Sequence, residues 1–320
     1  TIRKIISRLT IDILKKNNYF IKLSSKKIFP ILCYGKFWFG KNFSSKNLRF
    51  KMEIDDFINK MKDIYSHLID LIEETDDTDA EFKKFFKILD KKKILKSQEE
   101  IRLVFQLISR LADNHHRTSN FFDKLEKIFK FLIKDIPSPI SYYIPDYSKF
   151  NKRILFFLLE KRFIKPDEQF LKQYLQSKEK SNMSQTYYYL YPKMKKFIDK
   201  NLQKQTEEEI LEKYSETISE FEEKCQIGEN DLYICSLIRT DSVEEFITYI
   251  TRNNLNLLKA KIKPSIYETN SFLINKELTL IEYAVFFGSI QIVRYLKYNE
   301  VQLTSSLWLY TVHSDNASLI

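Results

Sequence analysis

The stretch Leu280–Val293 aligns without a gap on Leu307–Ile320, at an offset of 27 residues. A repeat of this length is one supersecondary unit that cannot bury its apolar face alone, so the chain is constrained to stack such units into a solenoid. Leu280 to Phe287 predicts a short helix, Gly288 the left-handed turn after it, and Ile290 to Tyr298 a second helix packing back through Ile292, Val293 and Leu296. Ala284 is small where the two helices cross. A weaker copy, Tyr233 to Ile250, puts Leu237 at the Ala284 position, Asp241 at the Gly288 position and Phe246 at the Val293 position. Its offset of 47 implies an inserted loop, Asn254 to Leu278, that contains Pro264. Leu307 and Trp308 open the last copy, and a Trp at apolar repeat spacing is expected in the core.

Upstream of the repeats the chain reads as helix as well. Four Gly and seven Pro in 320 residues leave too few turn residues for a sandwich or a doubly wound sheet, so the fold class is all-α. Ile54, Phe57, Ile58, Met61, Ile64, Tyr65, Leu68, Ile69 and Ile72 form one helical stripe, and Phe82, Phe85, Phe86 and Leu89 a second that closes in Lys91, Lys92 and Lys93. A third helix spans Ser97 to Leu111, with Ser97 and Glu100 spaced as a capping box, and a fourth spans Ser119 to Lys134. After Pro137, Pro139 and Pro145 the pattern resumes at Ile154 and runs to Lys165-Pro166. Further helices are expected at Asp167–Ser177 and Lys193–Asn201. Another begins at Thr206, with Glu209 reaching back to it, and continues through Phe221 to Cys225. Its many glutamates read as a solvated face.

The repeat segment resembles the ankyrin repeat. The Thr-Pro-Leu-His-x-Ala opening of that family appears as Thr279-Leu280-Ile281-Glu282-Tyr283-Ala284, followed by Gly288, the pair Ile292-Val293 and then Tyr295-Leu296. Leu280 and Glu282 replace the family's proline and histidine, and 27 residues is shorter than the usual period of about 33, which suggests a trimmed β-turn finger. Together with Asp231-Leu232-Tyr233 and Ser306-Leu307-Trp308-Leu309-Tyr310, these residues look like a large protist family of ankyrin-type proteins carrying a domain of unknown function. The resemblance covers about residues 229–320 and divides them into copies at 229–252, 279–303 and 304–320 around the inserted loop 254–278. It implies a helical N-terminal region, 52–225, followed by an ankyrin-type α-solenoid that is incomplete at its C-terminal end. Ile320 falls in the second helix of its repeat, so further repeats are expected beyond it.

Charge is divided unevenly. Residues 1–51 carry 13 Lys and Arg against the single acid Asp12, whereas the remaining residues carry 40 basic and 42 acidic groups, so the whole excess of +10 lies in this basic extension. Its longest apolar run, Ile28 to Phe39, is interrupted by Pro30, Gly35 and Lys36 and does not span a membrane. The first methionine is Met52, where acidic helix-forming sequence starts, and translation is expected to begin there. If the extension is native, its amphipathic pattern through Ile2, Ile5, Ile6, Leu9 and Ile13 implies association with a membrane surface or nucleic acid.

No pattern in the chain carries catalysis. His115 and His116 are adjacent, and His67 and His313 lack a neighbouring ligand at metal spacing. The glycines are scattered singly, so there is no phosphate loop, and no nucleophile motif is present. Asp76 and Asp77 sit in a polar run where nothing would raise a pKa. Cys33, Cys225 and Cys235 fit neither a disulfide framework nor a zinc site and agree with a reducing compartment, the cytosol or the nucleus. The sequence therefore predicts no metal, no cofactor and no small-molecule substrate. It predicts a non-catalytic scaffold that holds a protein partner on the concave face of its repeats. Tyr187 to Tyr189 and, in the inserted loop, Tyr267, Asn270 and Phe272 are the candidate partner-binding residues, the latter three expected to be exposed.

Overall fold

The computed structural model describes residues 20–21, 29–30, 45–74, 79–115, 120–144, 146–147, 150–175, 185–314 and 319. Most of the basic extension, the side chains of Met52 and His115, His116, Asp76 and Asp77, and residues 315–318 and 320 lie outside what is described. The described chain is overwhelmingly helical and forms two compact units, 1–104 and 105–320.

In the first unit, β1 (Phe20–Ile21) pairs antiparallel with β2 (Phe29–Pro30). Helix α1 (Ser45–Glu73) runs unbroken through Met52, starting seven residues before the stretch in which the sequence placed it. It packs on α2 (Asp79–Lys91) by burying Met61, Ile64, Tyr65, Leu68 and Ile72 against Phe82, Phe85 and Leu89. Lys93, in a left-handed conformation (φ 55°), ends this hairpin ahead of α3 (Gln98–His115). The predicted capping box there is half formed. Glu100 N–H reaches Ser97 Oγ at 3.4 Å, but the Glu100 carboxylate takes Lys60 instead, at 2.6 Å.

The second unit begins within α3 and adds α4 (Phe121–Asp135), α5 (Ile140–Tyr143), α6 (Lys152–Glu160), α7 (Glu168–Leu175), α8 (Gln185–Met194), α9 (Lys200–Tyr214) and α10 (Ile218–Ile227). Helix α6 is its axis. Asn151 caps it by accepting from the N–H groups of Arg153 (2.9 Å) and Ile154 (3.3 Å), and every residue from Lys152 to Leu159 is buried. A helix apolar all round belongs in a core, and each of its Leu, Ile and Phe side chains contributes ~1.5–3 kcal/mol by leaving water. Helices α8 and α10 pack directly on it, with the Phe156 and Tyr189 rings meeting edge to face at 5.7 Å.

Three expectations are corrected here. The helix expected at Lys193–Asn201 is broken: α8 ends at Met194, and Asp199 caps a new helix, α9, through the N–H groups of Asn201 and Leu202. Thr206 consequently lies inside α9, where its hydroxyl donates to Leu202 O at 2.7 Å rather than capping. The single helix expected from Thr206 to Cys225 is two, parted at Ser215 (φ 56°), and the reciprocal capping box belongs to Thr217 and Glu220 at the start of α10.

The repeat segment contributes α11 (Tyr233–Arg239) with α12 (Val243–Arg252), α13 (Leu280–Phe286) with α14 (Ile290–Tyr298), and α15 (Leu307–Thr311). The first two pairs share one backbone signature. Asp241 (φ 52°) and Gly288 (φ 72°) make the same left-handed turn, closed by Ser242 N–H to Leu237 O at 3.0 Å and by Ser289 N–H to Ala284 O at 2.9 Å. The second helices end alike, with Leu255 N–H to Ile250 O and Val301 N–H to Leu296 O. Helix α11 packs on α13, α12 on α14, and α13 on α15. Ala284, Ile292 and Leu296 are fully buried, Leu280, Tyr283 and Leu307 are buried, while Val293 is half-buried and Thr279 caps α13 in a box with Glu282.

An aspartate where the next copy has glycine is explained by its second task. The Asp241 carboxylate accepts from Gln291 N–H and Ile292 N–H, both at 3.0 Å, so the turn of one pair caps the second helix of the next. Asp241→Ala removes both acceptors and places an ordinary side chain at positive φ. It should cost about 1–2 kcal/mol, read as a lower urea midpoint, whereas Asp241→Asn should cost less than half of that. An unchanged midpoint for Asp241→Ala would remove this cap from the account.

Candidate functional site

The inserted segment is the largest departure from expectation. It does not stand out from the repeats as a free loop. β3 (Lys261–Ile262) pairs antiparallel with β4 (Leu278–Thr279), Ile262, Leu273 and Leu278 join the apolar interior of the helix pairs, and Ile266 to Asn270 are all buried. Tyr267 is 1% exposed and Asn270 2%, so the exposure expected of both is overturned. Phe272 is half-buried, its ring 3.8 Å from the His313 ring, which in turn lies 5.3 Å from Phe286. Packing of Phe272, β3 and β4 against α13 also changes which face is free: six of that helix's seven residues are buried and Glu282 is half-buried.

What draws the segment in is a set of polar partners on the helices of the second unit. Asn270 Nδ2 donates to Asp113 O, and the Asp113 carboxylate accepts from Ser271 Oγ (2.9 Å) and from Asn151 Nδ2 (2.8 Å). Asn151 Nδ2 also donates to Thr269 O at 2.9 Å, and Lys152 Nζ donates to Ile266 O. On the other side Thr269 Oγ1 donates to Gly228 O at 2.7 Å and Tyr267 OH donates to Glu216. Gly228 ends α10 at φ 74°, and a Cβ there would lie 3.0 Å from Arg153 Cδ, so glycine answers both the turn and the close approach.

Burial sets the electrostatics of this seam. It pushes the Asp113 carboxyl up, against the opposing pull of Asn151, Arg110 and Ser271. It pulls the Lys152 amine down to about 8, opposed by Glu268. The Tyr267 hydroxyl is pushed far up by burial and by its bond to Glu216. The Arg153 guanidinium lies 4.0 Å over the Phe122 ring, with Nε and Nη1 meeting no hydrogen-bond acceptor among the described residues. Such an arrangement holds a segment in place. It presents no nucleophile with an adjacent base: the buried thiols of Cys225 and Cys235 are both pushed up by desolvation, Cys235 to about 12, so they stay protonated near neutrality. No group of three metal-ligating side chains occurs among the described residues.

Tyr187 and Tyr189 are buried, so neither is a surface anchor, and Tyr188 is half-buried with its hydroxyl on Glu209. Trp308 is the reverse case. Expected in the core, it is 58% exposed, because Leu307 and Thr311, four residues apart, take the face of α15 that packs inward and leave Trp308 and Leu309 on the other. Leu232, Tyr233, Tyr298 and Leu303 are further large apolar side chains exposed in the repeat segment. The seam residues Asp113, Asn151, Lys152, Thr269 and Ser271 were not anticipated. One local signal was available, an Asn-Lys-Arg triplet opening an apolar run that reads as buried on every side.

Among the described residues no helix is long and apolar enough to cross a membrane. Comparison of the chain with family models, curated proteins and solved structures gives no match.

Proposed function

We propose that the chain is a non-catalytic interaction protein, in which an ankyrin-type stack of helix pairs, seated on the helical region by its own inserted segment, holds a protein partner. One observation carries the reading: among its described residues the repeat segment keeps seven large apolar side chains exposed, Leu232, Tyr233, Leu258, Tyr298, Leu303, Trp308 and Leu309, while Asp241 and Glu282 are spent on capping bonds. Aromatic and aliphatic anchors on a rigid frame are what protein recognition uses. The partner-facing side is accordingly the outer surface and the last helix, since the inserted segment occupies the side of α13 against which it packs.

Affinity capture with the full chain, followed by a salt titration, tests this. A partner held through apolar anchors should lose less than about threefold in affinity between 0.1 and 0.5 M salt, because little counterion release accompanies such contact. A fall of a hundredfold or more, abolished by removing residues 1–51, would assign the association to the basic extension and a nucleic acid or membrane surface instead.

A further inference from the structure

Helix α2 buries Phe82, Phe85 and Leu89 on α1, and its opposite side carries Lys83, Lys84, Lys87 and Lys91, every one exposed. Lys83, Lys87 and Lys91 step by four residues, so they form one row about 12 Å long at a rise of about 1.5 Å per residue. Lys93 and Lys96 are exposed in the turn that follows. From 83 to 96 the chain has seven lysines and a single acid, Asp90. Lys84 reaches Glu81 at 3.4 Å, while Lys83, Lys87, Lys91, Lys93 and Lys96 have no carboxylate at ion-pair distance among the described residues. Elsewhere in the same unit Lys60 meets Glu100 at 2.6 Å and Lys92 meets Asp63 at 2.7 Å. The unit thus pairs its half-buried lysines and leaves the outer row bare. Like charges four residues apart destabilise a helix, and the helix dipole favours a cation only in the last turn, which accounts for Lys91 but not for Lys83, Lys84 or Lys87.

We infer that this row is a contact surface for the phosphate backbone of a nucleic-acid duplex. Charge complementarity calls for a polyanion, and the surroundings of the row narrow the choice. A basic helix holds a lipid surface by sinking its apolar face into the bilayer, but the apolar face of α2 is buried on α1. A single strand is held by bases stacked on exposed aromatic rings, and here Phe82 and Phe85 are buried and Phe86 is half-buried. A straight row of point charges on a helix suits a straight line of phosphates: at about 3.4 Å of axis for each phosphate of one strand, a row of about 12 Å faces three or four of them. No Arg, Asn or Gln lies between 83 and 96 to read a base edge, so the contact is independent of sequence. The row involves none of the apolar anchors above, and it adds a second class of partner to the protein partner.

The probe is a labelled DNA duplex of about 20 base pairs, titrated with the full chain over a range of salt and read by fluorescence anisotropy. Each lysine seated on a phosphate releases a counterion. Lys83→Gln, Lys87→Gln and Lys91→Gln together should therefore make the slope of log affinity against log salt shallower by about 2.7 and weaken binding by roughly a hundredfold at about 0.15 M salt. The basic extension is the same in both proteins and cancels in the comparison. Arg at the same three positions should restore the slope, and the same three-charge loss at the exposed Lys196, Lys200 and Lys259 of the second unit should leave it within about one of the wild-type value. A triple Gln variant with the wild-type slope, or a control variant that loses as much, overturns the proposal. A single strand of equal length, polyglutamate or phosphatidylserine vesicles bound as tightly as the duplex, with the same dependence on the three lysines, overturns it in favour of that ligand.

Discussion

Asp113→Ala should lower the unfolding free energy of the second unit by about 2 kcal/mol, with the helix pairs and the helices before them still melting together. The Asp113 carboxylate accepts from Asn151 and from both the hydroxyl and the N–H of Ser271, and it lies 3.6 Å from Arg110. Removing it empties a buried site and leaves the half-buried Asn151 short of one of its acceptors, while the exposed Ser271 can turn to water. An unsatisfied buried polar group costs about 1–3 kcal/mol, and the partly exposed Arg110, which water can still solvate, adds little to it. For a unit of this size that corresponds to a fall in Tm of roughly 6 °C. Asp113→Asn keeps the shape and one acceptor oxygen and should cost no more than about 1 kcal/mol. Two separate melting transitions in the wild-type chain, one for 105–227 and one for the helix pairs, would show that the seam does not join them.

A second large effect is expected from Lys152 as a function of pH. Its amine is buried against the Ile266 carbonyl and the Tyr189 ring, whose centroid is 4.7 Å away, with Glu268 and the Cys225 thiol the other titratable groups that act on it. Burial holds its pKa near 8 in the folded chain against 10.5 for the free side chain. At this site the unfolded chain therefore binds more protons than the folded one between about pH 8 and 10.5, so the contribution of Lys152 to stability rises with pH across that interval. Below pH 8 the amine is protonated in both states, and the full penalty of burying it is present. Lys152 alone should contribute a gain of about 2 kcal/mol between pH 7 and 9.5, from 1.36 kcal/mol per unit of pKa difference, read as the difference between the wild-type chain and Lys152→Met, because the buried thiols of Cys225 and Cys235, pushed up by desolvation, lower stability over part of the same interval. The buried tyrosines oppose this gain increasingly toward pH 10, because they too ionise more readily once unfolded. Lys152→Met should lose the lysine's contribution and keep the opposing ones. Urea unfolding at pH 7, 8.5 and 9.5 measures both, and an equal slope in the two proteins would rule out Lys152 as its source.

How far these features were legible in the sequence depends on the range of the interaction that decides them. The hairpin of α13 and α14 was readable to the residue at its turn, since Gly288 and the apolar spacing of Leu280, Ala284, Ile292 and Leu296 act within one supersecondary unit. The Asp241 turn was readable by alignment, but its capping of Gln291 and Ile292, fifty residues on, was not. Two Thr-x-x-Glu spacings, Thr206–Glu209 and Thr217–Glu220, are locally equivalent as capping signals. Only the second caps a helix, because Asp199 starts α9 earlier and Ser215 breaks it, choices made by packing against α8 and α10. The inserted segment was misread for the same reason. Around Pro264 the chain read as an inserted loop with Tyr267 and Asn270 exposed, whereas the partner of Asn270 lies 157 residues away in the chain. Trp308 was misplaced because apolar periodicity predicts which face could be buried without supplying the neighbour that buries it.

Native-state hydrogen exchange over residues 266–274 tests most directly whether the inserted segment is part of the core. If it welds the helix pairs to α3, α6 and α10, its amides should exchange with the same free energy of opening as those of α6 and α13, and Asp113→Ala should lower all three sets together. Fast exchange of 266–274 beside fully protected α6 and α13 would contradict the account and return the segment to the surface as a loop.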